Sequence, residues 1–319
     1  MIRTTLAGLA LAAAFAVPAL GQTWPDRPIK LIVPFPPGGG TDVVTRVVAN
    51  GIGNSLGQPI VIENKGGAGG TLGNDLVAKA APDGYTIGTA TSSTLPASVI
   101  LRKDVPYDPA KSFAPITLIG TTPYVLVGSM ELKPTTFPEL VAFTKANAGK
   151  VNYASVGVTT LGYLLSEQLK LLTGIDMTHI PYRGASAAYP DVISNQVSLF
   201  LDNPTGSAGL VRDGKLRAYA INGKSAALPS VPTFDQLGVK DFDTQFWYGL
   251  IAPAGTPRPI VEKIQKAVAD FVASPAGKAE LESKDVTPVG STPDAFAALV
   301  ATDMTRLKAL ADKIGVKPE

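Results

Sequence analysis

A short apolar run ended by proline, Ile29 to Val33 (IKLIV) before Pro34, opens into a Pro/Gly loop and then into a stretch of helical periodicity. That unit constrains the chain more than any other feature. A run without polar alternation fits a strand buried on both faces, as in a parallel sheet covered by helices. After the loop PFPPGGGTD, residues Val43, Val44, Val47, Val48, Ile52 and Leu56 recur at helical spacing. Thr41 is placed to cap that helix, with Asp42 in its first turn, and Gly51, Gly53 and Gly57 punctuate its end. The unit then recurs. Ile60 to Glu63 reads as a strand, NKGGAGG as a loop, and Leu72, Leu76 and Val77 start a helix; Tyr85 to Thr89 is a third strand leading to the polar loop Thr91–Thr94.

From Ile116 the pattern restarts, with strands at Tyr124–Val127, Val151–Ala154, Ile175–Ile180, Val197–Leu201 and Leu216–Ile221. Helices fall at Pro138–Asn147, through Leu164, Leu165 and Leu169, and near Ala187–Ser194, while LPSVPTFDQLG is loop-rich. Phe246 to Ile251 is a further strand, Thr256-Pro257 starts a helix with proline at its first position, and a last helix opens at Thr292-Pro293. Strands alternating with helices argue for α/β architecture with mostly parallel sheets. Two such units, followed by one strand and two helices, imply a discontinuous first lobe: 22–122 with 246–319, and a second lobe at 123–245. The chain is expected to cross between lobes on extended segments near Thr121–Pro123 and Asp243–Phe246, a two-strand hinge.

Met1 to Gly21 reads as an export signal: Arg3, an apolar stretch from Leu6 to Val17, and the small-x-small site Ala19-Leu20-Gly21. The apolar stretch is too short for a membrane span, which takes about 20 residues. Cleavage after Gly21 would release a soluble periplasmic protein.

Composition removes several functions. Lys+Arg 28 against Asp+Glu 26, with no basic run, does not make a nucleic-acid groove. With no Cys there are no disulfides, thiol nucleophiles or thiolate metal sites, and a single His, His179, leaves no pair of imidazoles for zinc. No GK[ST] follows the glycine loop, and Gly67-x-Gly69 lacks the third glycine of a dinucleotide fingerprint. No GxSxG elbow accompanies His179, which reads as packing within a strand rather than as a catalytic base. No cofactor, metal or catalytic residue is expected.

Several loops lie at strand C-termini, where α/β sheets present backbone N–H groups to ligands. Gly38-Gly39-Gly40 ahead of a helix start suits an anion, although a tight turn with no ligand has the same sequence. Arg183, after a strand in PYRGAS, reads either as a carboxylate fork or as a solvated charge. Asp202 ends an otherwise apolar strand and reads either as a site acid or as a turn residue; Trp247 and Tyr248 could line a cleft or fill the core.

From Trp24 to Val316 the chain resembles the Bug-type extracytoplasmic solute receptors, periplasmic binding proteins of the tripartite tricarboxylate transporter family. The resemblance rests on ordered blocks: WPDRPIKLIVPFPPGGGTD, VIENKGGAGG, APDGYT, VPYDP with FAPIT, PYRG, QVSLFLDN, GKLRAYA and FWYGLIAPAGTP. It implies a two-lobed clamshell that binds a small carboxylate between its lobes. On the first lobe, the implied ligand positions are Phe35, Pro37, Gly38, Gly39, Gly40 and Thr41, then Ala68 and Gly69, then Ser92, Ser93 and Thr94. On the second, specificity-setting lobe they are Ser155, Gly157, Thr159, Thr160, Arg183, Gly184, Ala185 and Asp202. Relatives commonly read NGS or NGT where this chain has Val158-Thr159-Thr160, and often carry His where it has Tyr163. The more apolar wall implies a mono- or dicarboxylate with an apolar or aromatic body. The implied partner is a membrane permease of the tripartite type, or a sensor protein using the same outer surface; the receptor itself is expected to act as a monomer.

Overall fold

The computed structural model describes residues 24–319. The export signal expected at Met1–Gly21 lies outside the described residues. Chain order begins β1 (Ile29–Val33), α1 (Gly40–Leu56), β2 (Ile60–Asn64), α2 (Thr71–Ala78), β3 (Thr86–Thr91), α3 (Ser98–Leu101) and β4 (Phe113–Thr122). It continues through β5 (Val125–Ser129), α4 (Phe137–Ala146), β6 (Asn152–Ser155), α5 (Leu161–Thr173), β7 (Thr178–Pro181), α6 (Ala185–Ile193), β8 (Leu199–Asp202), α7 (Pro204–Arg212) and β9 (Leu216–Ile221). It closes with β10 (Phe246–Pro253), α8 (Arg258–Ala273), α9 (Pro275–Glu282), β11 (Thr287–Pro288) and α10 (Pro293–Ile314).

These strands form two sheets, in the orders β11-β4-β10-β3-β1-β2 and β7-β6-β8-β5-β9. β1 pairs in parallel with β2 and β3, while β10 runs antiparallel to β3 and β4. In the second sheet β6 is parallel to β7 and β8, and β5 is antiparallel to β8 and β9. The reversed strands β5 and β10 are the first strands after the chain passes from one sheet to the other. No crossover helix turns the chain there, so β4 runs into β5 through Pro123 and enters the second sheet against its neighbours. The parallel strands aim their C-terminal ends, and the loops that follow, at the space between sheets.

α1 lays Val44, Val47, Val48 and Ile52 on the first sheet and stops at Gly57, whose φ of +75° is the left-handed C-terminal turn. α4 carries a full capping box between Thr136 and Glu139. α8 begins at Arg258, so Pro257 is its N-cap rather than its first helical residue. Thr41 does not cap α1; Gly39 holds that position with no side-chain bond, because Asp42 supplies the carboxylate that ties the turn. Three helices follow β10 rather than two, and α7 occupies a stretch with no expected element. The polar loop at Thr91–Thr94 is not a surface loop: all four residues are buried. Thr94 Oγ1 accepts from Thr91 N–H and Asn74 Nδ2, so these polar groups satisfy one another inside the lobe.

The two passages between lobes are joined by one side chain. Asn222 Oδ1 accepts from Tyr124 N–H and Asn222 Nδ2 donates to the Thr244 carbonyl, both at 2.7 Å. No helix among the described residues is long and apolar enough to cross a membrane.

Candidate functional site

Three loops of the six-stranded lobe face the other lobe, the first and third at a cleft and the second at a wider outer pocket. In the first, Phe35 and Pro36 lead to Gly39, and α1 begins with its first helical bond from Val43 N–H to the Gly39 carbonyl. The N–H groups of Gly40, Thr41 and Asp42 therefore have no partner within the helix, and the helix dipole adds partial positive charge there. Asp42 shapes this turn. Its Oδ2 accepts from Gly38 N–H and Arg46 Nε, both at 3.0 Å, and its Oδ1 accepts from Asn64 Nδ2 at 2.8 Å. Asn64 Nδ2 also donates to the Phe35 carbonyl at 3.0 Å, so the end of β2 holds the loop that follows β1. Burial raises the Asp42 pKa, but hydrogen bonds from Arg46, Gly38 N–H and Asn64 outweigh it and hold the carboxyl below its ordinary value. The second loop, Gly67–Gly70, has four consecutive residues at positive φ, including Ala68 at +49°. From the third, Ser93 Oγ reaches across to accept from Leu161 N–H of the other lobe at 3.1 Å.

The five-stranded lobe supplies the facing wall. Ser155, at the end of β6, accepts from Gly157 N–H at 3.1 Å and lies 2.6 Å from His179 Nε2. The His179 ring sits between Tyr153 and Tyr163, at centroid distances of 5.0 and 4.8 Å, and burial lowers its pKa. It is a packed strand residue behind the cleft. Asp202 ends β8, 8% exposed, and its Oδ2 accepts from Tyr189 Oη at 2.7 Å. Burial pushes this carboxyl up to about 6, against the opposing pull of hydrogen bonds from Tyr189, the Asn203 N–H and Ser207.

Between the walls lies a narrow cleft of about 50 Å³. Of the expected positions, Phe35, Gly39, Gly40, Thr41, Ser93, Ser155, Ala185 and Asp202 line it. Ala68, Gly69, Gly157, Thr159 and Arg183 instead line a wider outer pocket of about 880 Å³, which meets the cleft at Val156. Arg183 is exposed there, and Arg102, Asp104 and Glu319 of the six-stranded lobe line the same pocket. Pro37, Gly38, Ser92, Thr94, Thr160 and Gly184 line neither space. The Gly38 N–H is already taken by Asp42, Thr94 is a buried structural hub, and Gly184 is pressed against Pro36. Trp247 and Tyr248 are core residues: the indole donates to Asp303 Oδ2 at 2.7 Å, and Tyr248 Oη bonds Thr205 Oγ1 at 3.4 Å.

Sequence reasoning missed Asn203 and also Tyr124, Phe200, Leu201 and Phe246, which form most of the apolar wall. Tyr124 and Phe246 stand on the two crossing segments, edge to face at 6.0 Å, so the placement of those segments was the signal that could have found them. Among the described residues, no Lys, Arg or His side chain lines the cleft. An anion here would be met by backbone N–H groups and hydroxyls.

The lobes touch around the cleft. A Cβ on Gly184 would lie 2.8 Å from Pro36 Cδ, and one on Gly69 would lie 2.1 Å from Thr159 Oγ1. Glycine at these positions lets the two lobes approach this closely.

Residues 44–316 match the family described as the tripartite tricarboxylate transporter family receptor. The chain is 36% identical to protein BugT of Bordetella pertussis (strain Tohama I) over 308 residues, covering 96% of this chain and 94% of that protein. It is similar in structure to the periplasmic binding protein BugD, with a TM-score of 0.89 and 34% identity over 93% of this chain and 100% of that one. It is also similar to R. palustris Rpa4515 with adipate, with a TM-score of 0.90 and 30% identity over 93% of this chain and 100% of that one.

Proposed function

Because the chain belongs to the tripartite tricarboxylate transporter receptor family, we propose that its cleft captures a small carboxylate by the backbone at the start of α1. The protein is a two-lobed solute receptor of the periplasmic binding type. One observation carries the ligand assignment: the N–H groups of Gly40, Thr41 and Asp42 have no helical partner, and the loop they start in opens on a cleft with no cationic side chain. A backbone cradle at a helix start suits a carboxylate, and the relative Rpa4515 was solved with adipate. Tyr124, Phe200, Leu201 and Phe246 would hold the ligand's apolar body.

In this reading 22–122 with 246–319 and 123–245 close around the ligand about the Asn222-linked passages, and the closed form is handed to a membrane permease of the tripartite type. The receptor acts as a monomer, and no covalent step is involved. Met1–Gly21 directs export and is removed. A thermal-shift screen over aliphatic, hydroxy, amino and aromatic carboxylic acids tests the assignment. A cognate acid at a hundred times its Kd stabilises by about 2.7 kcal/mol; a flat response to every acid contradicts it.

A further inference from the structure

The cleft contains one buried carboxyl group, and among the described residues no cationic side chain lines the cleft beside it. Asp202 is 8% exposed and lines the cleft. The groups around it are Tyr189 from α6, Tyr248 from β10, Tyr124 at the start of β5, and Asn203, Thr205 and Ser207 at and within the start of α7. All are uncharged, since burial raises the pKa of each of these three phenols. Tyr189 Oη and the Asn203 N–H donate to Asp202. The Ser207 hydroxyl is a third donor, and a carboxylate has about four acceptor positions, so Asp202 keeps one for a ligand.

The anion cradle is close by. A Cβ on Gly40 would lie 3.1 Å from Tyr248 Oη and 3.3 Å from Thr205 Cβ, in the helix that follows Asp202. A ligand in the cleft therefore meets donors at one end and an acceptor at the other. A plain acid would leave the remaining acceptor position of Asp202 unfilled, and a second carboxylate would face a buried like charge. The cleft, about 50 Å³, is narrow, which fits a compact molecule.

Resting on the carboxylate reading above, we propose that the cleft selects a compact monocarboxylate carrying an N–H or O–H donor, with its carboxylate at Gly39–Thr41 and its donor on Asp202. A 2-amino acid and a 2-hydroxy acid share this chemistry. The amino acid also neutralises the buried carboxylate.

The test is calorimetric titration at pH 7.5 with two matched probe sets, alanine, lactate and propanoate, and phenylalanine, phenyllactate and 3-phenylpropanoate, together with succinate and adipate. In the wild type a donor-bearing acid should bind at least tenfold more tightly than its unsubstituted match and than either dicarboxylate. Asp202→Asn should reduce that ratio below threefold and strengthen the dicarboxylates. Tyr189→Phe keeps the acid and should keep the preference, so the test survives if Asp202→Asn fails to fold. Lowering the pH to 5 separates the arms: an ammonium needs ionised Asp202 and should lose affinity, whereas a hydroxyl should not. Succinate, adipate or an unsubstituted acid binding the wild type as tightly as the donor-bearing acids overturns the proposal, as does an Asp202→Asn variant with an unchanged ratio. If no acid in any arm binds, the carboxylate reading fails and the proposal with it.

Discussion

Ser93 Oγ, on the six-stranded lobe, accepts a hydrogen bond from Leu161 N–H, the first residue of α5 on the other lobe, at 3.1 Å. Both groups are buried. When the lobes part, water can satisfy each; when they are together, each depends on the other. Ser93→Ala leaves the Leu161 N–H without a partner in the closed form, at a cost of about 1–2 kcal/mol. The expected result is a larger radius of gyration by small-angle scattering for ligand-free Ser93→Ala than for the wild type. Superimposable profiles would mean that this bond does not hold the lobes.

Gly184→Ala places a wedge between the lobes without straining the backbone. Gly184 has φ 174°, an extended conformation open to any residue, and its new Cβ would meet Pro36 Cδ at 2.8 Å and Cγ at 3.0 Å. A proline ring has little freedom to move aside. Because the lobes can part to take up the new methyl, thermal stability should stay within about 1 kcal/mol of the wild type. Affinity for the best acid of the screen should fall at least tenfold; unchanged affinity would place the closed contact outside the binding cycle.

Asp42 organises the loop before α1, so its loss should act on fold and binding together. Asp42→Ala removes bonds to Gly38 N–H, Arg46 and Asn64, and urea denaturation should show a loss of about 2–3 kcal/mol at pH 7. The Asp42 pKa is depressed in the folded chain, so its contribution is present above the unfolded value near 3.9 and is lost as pH falls through the folded value. The difference between Asp42→Ala and wild type should therefore shrink only below about pH 4. A difference that fades between pH 7 and 5 would implicate another group.

Asp202 has the opposite sign. Its folded pKa of about 6 lies above the unfolded value, so its stabilising contribution is complete below about pH 4 and is lost as pH rises through 6. An Asn in its place avoids the buried charge. Asp202→Asn should be more stable than the wild type by about 2 kcal/mol at pH 7.5, with the gap closing toward pH 4. Equal stability at both pH values would mean that Asp202 keeps an ordinary pKa.

How much of this was legible in the sequence depended on whether a residue's role was local. Ile29–Val33 reads directly as a buried strand because all but one of its side chains are apolar. Leu216–Ile221 and the Thr292 cap of α10 read equally directly. Helix α7 was hidden because Pro204, Gly206 and Gly209 dilute its periodicity, although Asn203 and Pro204 start it in the ordinary way. Thr91–Thr94 reads only as a polar loop, and its burial was not legible because a polar run carries no sign of its partners and Asn74 is distant in sequence. The same reason explains the site. Gly39, Gly40 and Thr41 announce a helix start, but Tyr124 and Phe246 enter the cleft only because two crossing strands bring them there. Arg183 could be assigned a carboxylate by chemistry alone, yet its position on the outer pocket follows from where β7 ends.

The most direct test of backbone capture compares an acid with its neutral isostere. The acid that gives the largest thermal shift and its primary amide are titrated into the wild-type receptor by calorimetry at pH 7.5. Charge-assisted hydrogen bonds contribute about 1.5–3 kcal/mol each, so the amide should bind about ten- to a hundredfold more weakly for each such bond lost. Equal affinity for acid and amide would contradict a carboxylate site at the start of α1.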